Sequence, residues 1–211
     1  MVEVTDVNSC VNTDTVMIVV NALPILDAGP DLEMCIYDSI QLNVTGAVDY
    51  IWSPDSTLNQ FDIADPYSYA LDSETFIVEG TDANGCKNTD TVLLTVHNLP
   101  LVTATGGTTI CFGDTVQLTA GGADTYLWSP ASSLSDANAA ITDAFPTDST
   151  TYYVVGTDLN GCENIDSTRI LVNQLPIANA GLNDTICFGD TTQLLATGGV
   201  GYVWTPNDSI S

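Results

Sequence analysis

The chain has 211 residues, of which 27 are acidic and only two, Lys87 and Arg169, are basic, for a formal charge of −25. That balance excludes nucleic acid as a partner, because binding it needs a cationic footprint that displaces counterions, and it opposes adsorption to anionic bilayers. No 18-residue apolar run is present, so no membrane-inserting segment is expected, and Met1 opens onto what reads as a strand, without the pattern of a signal peptide.

Residues 1–22 match 77–98 and 153–174, so they read as the C-terminal strands of a preceding repeat. Complete repeats follow at 23–98 and 99–174, and 175–211 is the N-terminal half of a further one. Trp52, Trp128 and Trp204 stand 76 residues apart, as do Leu42, Leu118 and Leu194 and the Leu-Pro pairs that begin at Leu23, Leu99 and Leu175. A period this long exceeds a solenoid unit and fits one small globular domain per repeat.

The 99–174 copy shows the predicted elements. VTA (102–104) is a short strand, and TTICFGD turns into VQLTA (116–120), whose Val116, Leu118 and Ala120 share one face. Gly121-Gly122 ends that strand; YLWSP (126–130) is the next and stops at Pro130. An irregular stretch rich in Ala, Ser and Asp follows. TTYYVVGTD (150–158) is the longest β-branched and aromatic run, Asn160-Gly161 is a hairpin signal, and IDSTRILV (165–172) is the return strand. About seven short strands with turns at intervals of roughly ten residues predict an all-β chain of tandem immunoglobulin-like β-sandwich domains. Trp52, Trp128, Trp204, Leu42, Leu118 and Leu194 are the expected core.

Catalysis is not expected. His97 is the only histidine, its counterparts are Asn21 and Asn173, and a nucleophilic triad would need that ring beside a Ser or Cys. The Gly-Gly pairs at 106–107, 121–122 and 198–199 lack the lysine and helix of a phosphate loop and read as turns. No cofactor is expected apart from calcium: Asp82, Asn84, Asp158 and Asn160 offer oxygen ligands to a hard cation, although Asp and Asn favour such turns in any case.

The six cysteines form two series, Cys35, Cys111, Cys187 and Cys10, Cys86, Cys162, with no CxxC pair, a pattern of disulfides in an oxidising compartment more than of zinc. In a sandwich, Cys111 and Cys162 fall at opposite poles, roughly 35 Å apart by strand rise, whereas a disulfide needs Cα atoms within about 7 Å. A head-to-tail array favours Cys35–Cys162 across the junction at Leu99-Pro100, with Cys111 and Cys86 directed to flanking repeats. Pairing within repeats, Cys35–Cys86 and Cys111–Cys162, demands a different strand map. Free thiols are the third arrangement.

Cys111-Phe-Gly-Asp114, the Gly-Gly before Tyr126-Leu-Trp128-Ser-Pro130, Thr151-Tyr-Tyr153 and Gly156-Thr-Asp158-Leu-Asn-Gly-Cys162 resemble the immunoglobulin-like and PKD-like repeats of giant secreted surface proteins of the Bacteroidetes, gliding-motility-associated adhesins among them. The resemblance spans essentially the whole chain. The 23–98 copy departs most, with Ile36 for the Phe, Tyr37 for the Gly and Thr45 for the first Gly of the pair. The resemblance implies export through an outer-membrane system that reads a C-terminal domain, then display on the bacterial cell surface as a stalk or filament. The expected partners are neighbouring repeats of the same long chain, lateral copies, and a surface or glycan ligand at a tip. A calcium- or carbohydrate-binding module repeated along the chain is the alternative reading.

Asp-Ser or Asp-Thr occurs twelve times, ten of them followed by Val, Ile or Thr. The resemblance implies O-glycosylation at such hydroxyls: Thr15, Ser39, Ser56, Thr91, Thr115, Ser149, Ser167, Thr185, Thr191 and Ser209. A turn entering a strand produces the same dipeptides.

Overall fold

The computed structural model describes residues 1–105 and 107–205. Among the described residues there are fifteen β-strands and no helix. An exposed hairpin opens the chain: β1 (Val2–Thr5) runs antiparallel to β2 (Val11–Asp14). The chain divides into two compact units, one of Met1–Leu99, hairpin included, together with Asn160–Cys162, the other of Pro100–Leu159 and Glu163 onward.

The first unit contains β3 (Leu32–Cys35), β4 (Ile40–Gln41), β5 (Asp49–Ser53), β6 (Tyr67–Ser68), β7 (Glu74–Thr81) and β8 (Lys87–His97). One sheet has the order β3-β8-β7-β5, with β3 parallel to β8 and the other pairs antiparallel. The facing layer is β4–β6, extended by a bridge between Asp27 and Thr45. The second unit repeats this plan with β9 (Thr103–Ala104), β10 (Thr108–Cys111), β11 (Val116–Gly121), β12 (Thr125–Ser129), β13 (Ile141–Ala144), β14 (Thr150–Thr157) and β15 (Glu163–Asn173). Its sheets are β10-β15-β14-β12 and β13-β11-β9. Each unit is therefore a two-sheet immunoglobulin-like sandwich.

Alternation explains the layers. In β7, Phe76, Val78 and Gly80 point inward while Thr75 and Ile77 face solvent; in β14, Tyr152, Val154 and Gly156 do the same against outward Tyr153. Leu42, Val44, Trp52, Phe76, Val78, Val92 and Leu94 close the first core, and Leu118, Trp128, Tyr152, Val154 and Ile170 the second. The two indoles are each 1% exposed, and their Nε1 groups donate to the carbonyls of Ile63 (2.9 Å) and Ala139 (3.1 Å).

Two elements differ from the sequence reading. TTIC is a strand, β10, because it pairs in parallel with distant β15, and four residues are too few to display a period. The irregular stretch after Pro130 contains β13, whose inward residues are Thr142 and Ala144, too polar or too small to mark a core face. Thr142 Oγ1 is satisfied by the Ser135 hydroxyl and the Asp136 amide, both at 3.1 Å.

The expected burial of Trp204 and Leu194 is corrected: they are 47% and 56% exposed. The sequence Tyr202-Val-Trp204 repeats Tyr126-Leu-Trp128, but among the described residues it lies in no strand, whereas Tyr126–Trp128 belong to β12 and pair with β14.

The glycine that recurs at 46, 122 and 198 has a steric cause, which the preceding position does not share. Gly122 has φ +89°, and a Cβ there would lie 1.8 Å from the Leu101 carbonyl oxygen; Gly46 and Gly198 meet the carbonyls of Ile25 and Ile177 in the same way. Thr45 therefore replaces the first glycine without harm, whereas the second has no substitute. Gly122→Ala is expected to cost about 3 kcal/mol or more, from the left-handed backbone and the overlap together. Urea denaturation showing a loss under 0.5 kcal/mol would contradict this account.

Candidate functional site

The crosslink starts from β3. Leu32 and Met34 turn toward the core, and Cys35, the last residue of the strand, pairs with His97 at the end of β8. The chain then bends away: Ile36 donates to the His97 carbonyl at 2.8 Å, Asp38 to the Cys35 carbonyl at 3.1 Å, and Tyr37 takes φ 75°. Cys35 is half-buried, and its Sγ is bonded to that of Cys162, with the Cα atoms 5.6 Å apart. Cys162 lies in the β14–β15 turn and is fully buried. A reductant must therefore approach from the Cys35 side, since exchange requires access to a sulfur. Cys10, Cys86, Cys111 and Cys187 are free thiols.

The register shows why Cys35 and Cys86 do not meet. Cys35 is opposite His97, the last residue of β8, whereas Cys86 immediately precedes Lys87, its first. An 11-residue strand separates them, about 36 Å at 3.3 Å per residue. Cys111, opposite Asn173, stands in the same relation to Cys162 across β15.

The turns that carry the second cysteine series are built around an aspartate. Asp82 Oδ1 accepts the amides of Asn84 and Cys86, both at 2.8 Å, and these backbone donors, the Cys86 amide foremost, hold its carboxyl below the ordinary carboxylate range. Asp6 does the same for Asn8 and Cys10. The Asp82 Oδ1 oxygen offered above to calcium is thus engaged in turn formation; Asp158 and Asn160 stand at the corresponding positions of the β14–β15 turn. Among the described residues no three His, Cys, Asp or Glu side chains converge on one point. His97 Nε2 lies 3.1 Å from Glu33 Oε2, within hydrogen-bonding distance, and no helix among the described residues is long and apolar enough to cross a membrane.

A recurring pair escaped the sequence reading. Asp90 Oδ2 accepts the Ala28 amide at 2.8 Å, and Asn88 Nδ2 donates to the Pro24 carbonyl at 2.9 Å. In the second sandwich Asp166 takes the Ala104 amide at 2.7 Å and Asn164 reaches the Pro100 carbonyl at 2.9 Å. Two residues apart on the final strand, Asn and Asp share one side and clamp the incoming Leu-Pro segment where Pro cannot donate. The signal was present in Asn88-Thr-Asp90 and Asn164-Ile-Asp166. Read as Asp-Thr and Asp-Ser dipeptides, the same positions pointed to turns; Thr91 and Ser167 are instead exposed mid-strand residues.

The other hydroxyls proposed for glycosylation, Thr15, Ser39, Ser56, Thr115, Ser149, Thr185 and Thr191, are all exposed; Ser209 lies outside the described residues.

No protein-family model and no curated protein matches the chain. Solved structures similar to it include titin domains I67–I69 (14% identity, TM-score 0.42, covering 75% of this chain and 68% of that one). Extracellular domains 3–5 of Drosophila OTK match at 9% identity and TM-score 0.40 over 72% of this chain and 60% of theirs. The insect immune protein hemolin matches at 14% and 0.38 over 71% of this chain and 47% of its own.

Proposed function

We propose that this chain is a segment of an extracellular structural or adhesive stalk, in which sandwich repeats space and stiffen a long surface protein. The observation that carries the reading is the Cys35–Cys162 bond, which joins residues of successive sequence repeats. Disulfides persist in oxidising compartments and are rare in the cytosol. The charge of −25 supports it as well, keeping neighbouring stalks apart and soluble.

The resemblance to Bacteroidetes repeats extends the proposal to a bacterial cell surface and gliding-motility-associated adhesion, with neighbouring repeats as partners, lateral copies in a filament, and a surface or glycan ligand at a distal tip. O-linked glycan on the exposed Asp-Ser/Thr hydroxyls would add steric shielding to the electrostatic repulsion. Protein taken from its native cells, alkylated before lysis and digested without reduction, should yield a crosslinked peptide pair containing Cys35 and Cys162. Recovery of both cysteines as alkylated thiols would overturn the extracellular reading. The intact mass from the same preparation should exceed that of the bare polypeptide, and equality would remove the glycan.

A further inference from the structure

The disulfide redirects force. Tension applied to the two ends enters along the backbone, reaches Cys35 at the end of β3, and meets there a covalent shortcut to Cys162, 127 residues further on. We infer that, while this bond is intact, the load is borne by the chain up to Cys35 and from Cys162 onward, and residues 36–161 form a closed loop outside the line of force. That loop contains β4 to β14, and with them Trp52 and Trp128. Only β3 of the first sandwich and β15 of the second lie in the tension path.

Without the bond the same pull follows a different route. It enters the first sandwich at β3 and leaves at β8, two parallel neighbours drawn from opposite ends, so the pairs from Leu32↔Leu94 to Cys35↔His97 are sheared together. In the second sandwich β10 and β15 are loaded likewise, from Thr108↔Ile170 to Cys111↔Asn173. The crosslink spares these two small parallel patches, and the cores behind them, from mechanical work. The biological setting of this load path rests on the stalk reading, but the path itself follows from the bond alone.

Single-molecule stretching of the full chain, tethered at its ends, tests it. The oxidised chain should extend without sandwich-unfolding steps and reach a final length short of full extension by roughly 430 Å, the 127-residue separation at about 3.4 Å per residue. Dithiothreitol added to the same molecule reduces the disulfide to two cysteine thiols and is itself oxidised to a cyclic disulfide; it should release that length and produce two unfolding steps. Cys35→Ser should give the reduced pattern with no reductant, and Cys86→Ser should leave the oxidised pattern unchanged. Sandwich-unfolding steps or full extension in the oxidised chain would overturn the load path. Finding thiols in native cells would remove the extracellular reading and leave this result standing, so the two failures are distinguishable.

Discussion

Truncating Trp128 to Ala is expected to lower the stability of the second sandwich by about 3–5 kcal/mol, the range for removing a large aromatic from a closed core. The indole is 1% exposed and sits in one cluster with Leu118, Ala144, Tyr152, Val154 and Ile170, contributed by both sheets. Deleting it leaves a cavity that the surrounding strands cannot collapse to fill, because β12 is held to β14 over five paired residues. The substitution also removes the Nε1 donor to the Ala139 carbonyl. Trp128→Phe separates the two contributions: it keeps most of the apolar volume and loses the donor, for about 1–2 kcal/mol beyond the volume term. Chemical denaturation followed by far-ultraviolet circular dichroism measures both. A loss under 1 kcal/mol for Trp128→Ala would mean that the sandwich does not depend on the indole. Trp204→Ala, at a site already 47% exposed, should change stability little.

Reducing the Cys35–Cys162 bond should lower stability by up to about 5 kcal/mol in the chain-entropy account, in which closing a loop of this length restricts the unfolded chain. At about 4–8 °C per kcal/mol for a domain of this size, a drop in melting temperature of 15 °C or more is expected. Cys35→Ser should reproduce the effect of reductant, because its site is half-buried and receives a hydroxyl easily. Cys162→Ser should cost more, since the new hydroxyl falls in a fully buried position. Cys86→Ser, at a free thiol, is the control and should melt with the parent chain. A reduced protein melting within 3 °C of the oxidised one would show that the bond does not stabilise the native arrangement.

The repeat, the strand-forming runs and the inward side of each long strand were legible in the residues, because periodicity and alternation are local properties of a chain. Phe76, Val78 and their counterparts Tyr152 and Val154 occupy alternate positions of an apolar run, and that pattern admits few other readings. The glycine turns were legible too, although not their reason, which is the approach of a carbonyl some twenty positions earlier in the chain. The crosslink was legible as a preference: the opposite poles of a sandwich favoured Cys35–Cys162 over pairing within repeats, and that is the bond the structure holds.

What the sequence determined by itself was therefore an all-β chain with a 76-residue period and the faces of its longest strands. Tertiary structure alone decided the rest, because those features depend on partners far away in the chain. It set the parallel pairing that makes strands of β3 and β10, and the 11-residue β8 that separates Cys35 from Cys86. It gave Asp90 and Asp166 their role as acceptors for the amides of Ala28 and Ala104, each 62 residues away. It also buried Trp52 and Trp128, each 1% exposed, by closing a second layer over them. An indole is driven out of water only where a second sheet is present to receive it.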